Sequence, residues 1–220
     1  MSETITIVIP TKDNPEALKA TLESIFENAS GFKVIVIDAS TKDESKLESQ
    51  KWQRFYGDDM EVIYKDTETS IIAMVYGMSL AKGDVLLTHD DVIFPRLYKR
   101  SFLKELQKLS TIPEVGLVTS LNGGGVSGPT FLDKLAWAGT WCTYIPKSTI
   151  EKIGMLDDYF TTGEDIDYSY RIIKAGLKIA LADFWVDHHR SNEKPQDKQM
   201  ANTDIVKVNG DYFKNKHKLE

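Results

Sequence analysis

A chain of 220 residues, 41% hydrophobic and 27% charged, carries enough apolar material for one core and suits one large domain. Its formal charge of −6 argues against nucleic-acid binding through a basic surface. A single cysteine, Cys142, excludes an internal disulfide and a thiolate metal cage, and no stretch reaches the roughly 18 apolar residues of a membrane-spanning helix.

The expectation is a cytoplasmic protein with no leader and no integral membrane segment, since MSETITIVIP has no basic region ahead of its short apolar run. In chain order, Thr4 to Ile9 (TITIVI) is β-branched and closes on Pro10, which predicts a strand and its end. Asn14-Pro15-Glu16 predicts a helix start, with Asn as N-cap and Pro in the first turn. Leu18, Leu22 and Ile25 follow at helical spacing, and Gly31 is the stop. Lys33 to Ile37 predicts a second strand, ended by Asp38-Ala39-Ser40-Thr41. A polar helix around residues 43–55, a strand over 61–64 and a helix around 70–81 lead to the strand Asp84–Thr88. That strand delivers His89-Asp90-Asp91.

Strands that are apolar throughout, separated by helices, predict an α/β fold with a mostly parallel sheet covered on both faces. Ligands of such sheets sit beyond the carboxyl ends of the strands. Pro10-Thr11-Lys12-Asp13, Asp38 and His89-Asp90-Asp91 all lie just past strand ends, so three polar clusters are expected at one edge.

The second half is less regular. A helix over Pro95–Leu109, a strand over Val115–Ser120 and a glycine-rich loop over Asn122–Pro129 are expected, then the aromatic stretch Trp137–Tyr144. A short helix over Pro146–Ile153, a longer one over Thr161–Ala175, and strands over Lys178–Leu181 and Phe184–Asp187 follow. The last strand ends at His188-His189, after which 190–202 reads as polar loop and a small C-terminal segment completes the chain. No internal repeat is present.

Several side-chain groups can carry chemistry. Adjacent carboxylates on a rigid turn suit a hard divalent cation, although a loop after a strand with an Asp capping the next turn explains the same residues. His188-His189 is a candidate partner, because Mn2+ accepts imidazole beside carboxylate, although a surface histidine pair is the plainer explanation. Thr161 and Glu164 have the spacing of a capping box, and Asp167 and Arg171 can pair one helical turn apart on an exposed face. Neither accounts for Gly163, which permits close approach to Glu164 and Asp165; a carboxylate there can serve as general base. The glycine run is not a phosphate-cradling loop, since no Gly-Lys-Ser/Thr follows it. Trp137 and Trp141 are expected in the core, with sugar stacking as the alternative.

Together these segments resemble the family-two glycosyltransferases of GT-A fold, over nearly the whole chain. ITIVIPTKDN is similar to that family's opening strand and turn, VIVIDASTKD to its second strand, and AKGDVLLTHDDVIFP to the segment of its DxD motif. GEDIDYSYRIIKAGLKIALADFWVDHH is similar to its Glu-Asp helix and the following strand with a histidine. The resemblance implies a single GT-A-like domain over 1–190, with a Rossmann-like nucleotide-binding half (1–91) and an acceptor and catalytic half (92–190). Residues 191–220 would be a loop and tail packed on the same domain.

It implies further that Pro10, Thr11, Asp13, Asp38 and Asp90 hold the nucleotide, and that Asp91 and His188 bind a divalent metal, Mn2+ or Mg2+. Asp165 would be the base, with Glu164 as the other possibility. His89 stands where the motif has its first acid, and Met74-Val75 replace the family's Arg-Asn, which removes a cation expected near the diphosphate. The implied activity is inverting, metal-assisted transfer of a sugar from a nucleotide-diphosphate donor to a hydroxyl acceptor, whether glycan, lipid-linked or small molecule. A non-catalytic nucleotide- or glycan-binding protein and a sugar nucleotidyltransferase are the alternatives. The second would favour a glycine-rich basic loop after the first strand, where Pro10-Thr11-Lys12-Asp13 has no glycine.

Overall fold

The computed structural model describes residues 4–126, 136–189 and 203–219. The predicted α/β architecture is observed. A seven-stranded sheet runs in the order β10-β6-β9-β4-β1-β2-β3. Its strands are β1 (Ile5–Thr11), β2 (Phe32–Asp38), β3 (Met60–Tyr64), β4 (Val85–Thr88), β6 (Val115–Ser120), β9 (Cys142–Ile145) and β10 (Lys178–Ala182). Strands β1 to β4 are mutually parallel, as are β6 and β10, while β9 runs antiparallel between β4 and β6.

Two short pairs sit beside this sheet. β5 (Val92–Ile93) pairs with β11 (Asp187–His188), and β7 (Gly124–Val126) pairs with β8 (Ala136–Ala138).

The helices are α1 (Pro15–Asn28), α2 (Asp43–Tyr56), α3 (Ser70–Leu80), α4 (Phe102–Ser110), α5 (Lys147–Ile153), α6 (Glu164–Lys174) and α7 (Thr203–His217). Alternation along β1 explains the two layers, because successive side chains of a strand face opposite sides. Ile5, Ile7 and Ile9 pack with Leu18, Leu22 and Ile25 of α1 and Phe102 and Leu106 of α4. Val8 packs on the other face with Met74 and Met78 of α3 and Tyr168 and Ile172 of α6.

Several boundaries differ from expectation for identifiable reasons. β1 runs past Pro10 to Thr11, because Pro10 faces Ile37 and Thr11 faces Asp38 in register with β2. Asn14 opens α1 with its backbone, Leu18 N–H donating to its carbonyl at 3.1 Å, and its side chain makes no cap bond. Residues 95–101 are not helical. Lys99 takes a left-handed φ of 57°, so helix α4 begins only after Ser101.

Phe184–Val186 is not a ladder strand. Asn122 takes the pairing role, accepting from Val186 N–H at 3.1 Å and donating to Val186 O at 2.7 Å. Only Asp187 and His188 pair as strand. Within the loop expected over Asn122–Pro129, Gly124–Val126 form strand β7, while 127–129 and the polar stretch 190–202 lie outside the described residues.

α7 exceeds the small terminal segment expected. Its Phe213 is fully buried with Ile71 and Phe160. Asp167, which the sequence puts on an exposed helix face, is fully buried instead. It accepts from Arg171 at 2.8 Å, Lys216 at 2.9 Å and His217 at 2.8 Å. The i,i+4 pair with Arg171 exists, but under the cover of α7.

Candidate active site

The carboxyl ends of β1, β2 and β4 do meet. Thr11 donates its hydroxyl to Asp90 Oδ2 at 2.8 Å, joining the tip of β1 to the turn after β4. The turn is held from below by α1, where Thr21 and Ser24 accept the N–H groups of Val92 and Phe94, both at 3.1 Å. These buried hydroxyls replace the ladder partners that β5 lacks on that side, so the chain reverses there without orphaned donors. On its other edge β5 pairs with β11, in register His188 to Val92, and His189 N–H reaches Asp91 O at 2.9 Å.

That short ladder brings the two ends of the sequence motif together. His188 Nε2 lies 3.4 Å from Asp91 Oδ1, and ligand atoms of His89, Asp91 and His188 all lie within 4.8 Å of one another. One carboxylate and two imidazoles at this separation fit a borderline divalent cation. The Trp141 ring lies over His188, with centroids 5.3 Å apart and planes 25° apart, and Trp137 meets Trp141 edge to face at 5.8 Å. Trp141 therefore stacks on a site imidazole, an arrangement between the two expectations of core residue and sugar platform.

Helix α6 enters from the opposite side. The expected capping box does not form: Gly163 is the N-cap, at φ 85° and ψ 12°, and no side chain caps the helix. Only glycine takes that conformation cheaply, and with it the helix starts at Glu164. Thr161 Oγ1 instead accepts from Asn209 of α7 at 3.1 Å. Glu164 turns inward, and its Oε1 accepts from the Thr140 hydroxyl at 3.0 Å. The same hydroxyl lies 3.3 Å from His89 Nε2.

Asp165 follows on the first turn of α6, its Oδ1 accepting from Ile166 N–H at 2.8 Å. Burial, and next the neighbouring Glu164 charge, push the Asp165 carboxyl up to about 8. Burial also raises Glu164 above the ordinary carboxylate range. Neighbouring carboxyls in a partly desolvated site have the chemistry that general acid–base catalysis can use.

At the end of β2, Asp38 is 1% exposed. Its Oδ1 accepts from Ser40 N–H at 2.8 Å, and its Oδ2 has no hydrogen-bond partner among the described residues. A buried carboxylate oxygen without a donor is costly, so this atom is a natural acceptor for a ligand N–H.

Asp13 is differently employed. With φ at 51°, it accepts from Thr41 N–H at 3.0 Å, Thr41 Oγ1 at 2.7 Å and Lys42 N–H at 2.9 Å. Burial works to raise its pKa, but these donors outweigh it and hold the carboxyl below the usual range. Asp13 thus fixes the loop after β2. Met74 is fully buried against the sheet, so that position supplies no cation.

Sequence reasoning puts His89 in the strand-end cluster without giving it a ligand role, and it misses Thr140, since a threonine in an aromatic stretch reads as core. A cavity of about 510 Å3 lined by residues that include Arg96, Tyr98 and Arg100 contains none of the site residues.

The sequence profile described as glycosyl transferase family 2 matches residues 6–122. No curated protein sequence matches the chain. Among solved structures, a mannosyltransferase from Pyrobaculum calidifontis, in complex with GDP-Man and Mn2+, superposes with a TM-score of 0.67 at 16% identity. That match covers 83% of this chain and 55% of the other. TarS from S. aureus superposes with a TM-score of 0.63 at 15% identity, covering 83% of this chain and 35% of TarS. Its 1–349 form gives 0.60 at 16% identity, with 83% and 59% covered. The chain thus spans between about a third and three-fifths of the length of these structures.

Proposed function

This chain belongs to glycosyl transferase family 2, and from that premise we propose that it transfers a sugar from a nucleotide-diphosphate donor to a hydroxyl-bearing acceptor, with inversion. The observation that carries the reading is the meeting of His89, Asp91 and His188 with the Glu164-Asp165 turn through Thr140.

Asp91, His188 and His89 would hold a divalent cation. Bound there, such an ion supplies Lewis-acid stabilisation of the charge that grows on a leaving diphosphate. The mannosyltransferase that shares the fold was solved with GDP-Man and Mn2+, which supports testing Mn2+ first.

The chain's own residues account for the rest. Asp38 Oδ2 accepts an N–H of the nucleotide base, and Pro10, Thr11 and Asp90 line the approach at the ends of β1 and β4. Asp13 contributes by fixing the 40–42 backbone. Asp165, ionised, takes the proton of the acceptor hydroxyl as that oxygen attacks the anomeric carbon from the face opposite the leaving group. A base whose pKa lies near the working pH combines availability with driving force. Glu164 is the alternative base, although its bond to Thr140 gives it a positional task. A single displacement needs no covalent enzyme intermediate.

We read residues 1–91 as the nucleotide half and 92–190 as the acceptor half. The contacts of Phe213, Lys216 and His217 support counting the C-terminal segment within the same unit. One second reading draws on a specific observation: with Met74 buried in place of a cation, the fold could bind nucleotide without turning over.

Calorimetry with UDP, GDP and dTDP, with and without Mn2+, followed by donor hydrolysis and transfer assays, separates the two. Mn2+-dependent nucleotide binding with turnover that Asp165→Asn abolishes supports the transferase. Binding without turnover supports the second reading, and absence of any nucleotide binding rejects both.

A further inference from the structure

Thr140 links the strand-tip cluster to the Glu164-Asp165 helix through its side chain, which contacts both His89 and Glu164. It is 4% exposed, and the Gly139 before it is held through both of its backbone groups. Gly139 N–H donates to Gly123 O at 2.7 Å, and Thr143 Oγ1 donates to Gly139 O at 2.7 Å. The neighbour must be glycine, since a Cβ at Gly139 would lie 2.0 Å from the Trp141 ring. That ring in turn covers His188. The Gly139-Thr140-Trp141 turn therefore touches both imidazoles of the cluster and the carboxylate opposite.

A threonine hydroxyl carries one proton and can accept through its lone pairs. Here the proton is given to Glu164 Oε1 at 3.0 Å. It cannot also be given to His89 Nε2, 3.3 Å away, so that contact is a hydrogen bond only if His89 donates. A neutral imidazole that donates through Nε2 has its lone pair on Nδ1.

We propose that Thr140 is a positioning residue that holds His89 in the Nε2–H tautomer, so that Nδ1 is the nitrogen His89 offers to a divalent cation shared with Asp91 and His188. The Glu164 carboxylate thereby orients a ligand it does not touch. The proposal rests on the metal-site reading above and adds to it which nitrogen ligates, and why. Partners that fix imidazole tautomers typically carry a 10–100-fold effect on metal affinity.

The test uses the full chain labelled with 15N-histidine. Two-bond 1H–15N correlation distinguishes the tautomers of its four histidines, and loss of one signal set in His89→Asn assigns His89. Free Mn2+ is titrated in parallel by electron paramagnetic resonance, without nucleotide. Wild type and Thr140→Ser, which keeps the hydroxyl, are expected to show His89 as Nε2–H and to bind Mn2+ within about threefold of each other. Thr140→Val, with the same shape and no hydroxyl, is expected to lose the single tautomer and bind Mn2+ roughly 10–100-fold more weakly.

An Nδ1–H tautomer in the wild type overturns the proposal whether or not the valine variant folds. So does a folded Thr140→Val with unchanged tautomer or affinity. No Mn2+ binding by the wild type overturns the metal reading itself, and this inference with it. Mn2+ binding that Thr140→Val leaves intact overturns only the role of Thr140.

Discussion

Replacing Asp165 by Asn should make the protein more stable and less active, with the stability gain growing as pH rises. In the folded chain burial, followed by the Glu164 charge, moves the Asp165 carboxyl from 3.8 up to about 8. The folded state therefore holds a proton that the unfolded chain releases, so stability falls as pH climbs from about 4 to about 8. Taken whole, that shift is about 5–6 kcal/mol at about 1.36 kcal/mol per unit. The side chain is partly exposed, and solvent screening reduces the figure to about 1–3 kcal/mol.

Asn has no charge to desolvate. The variant should match wild type near pH 4 and exceed it by about 2–12 °C in Tm above pH 8, at roughly 2–4 °C per kcal/mol for a chain of this size. Thermal melts of both proteins from pH 4.5 to 9, without metal or nucleotide, measure this directly. Turnover should fall by about 10²–10⁴-fold in the same variant. A Tm difference that is flat in pH, or turnover that survives, would refute the account of Asp165 as a strained base.

Other outcomes follow from the same geometry. Asp91→Asn and His188→Ala should each weaken Mn2+ binding by at least about tenfold in calorimetry, because each removes one member of a three-ligand set. Asp38→Asn should weaken nucleotide binding by about 10–100-fold, by replacing a buried carboxyl acceptor with an amide. With Oδ1 already engaged by Ser40, UDP and dTDP, which offer one imide N–H, should bind more tightly than GDP, which offers two adjacent donors. Asp167→Asn leaves Arg171, Lys216 and His217 facing a neutral group in the interior. It should cost about 3–5 kcal/mol, seen as a lower urea midpoint with α7 released, and restoring the carboxylate as Glu should recover only part of it.

Much of the fold was legible because the sequence states it twice, in periodicity and in punctuation. The β-branched runs of β1 and β2, the apolar spacing of α1 and the Asp-Asp turn after β4 are local signals that the structure repeats within a residue or two. The misreadings come from side chains whose partners lie far away in the sequence. Asp167 looked solvated because Lys216 and His217 are about 50 residues distant. The Thr161–Glu164 capping box failed because Asn209 takes the threonine and Thr140 takes the glutamate. Asn122 stands in for a strand partner of Val186, which no alternation pattern announces.

The sequence by itself determined the α/β class, the parallel run β1 to β4 and the presence of acids and imidazoles at strand ends, since these depend on propensity and spacing within a dozen residues. Tertiary structure alone decided that β9 enters the sheet antiparallel beside β4. It also decided that β11 folds back on β5 to set His188 against Asp91, and that Thr140 spans the gap between His89 and Glu164. Hydrogen-bond partners and desolvation belong to neighbours in space, and a linear pattern carries no record of which distant residue will supply them.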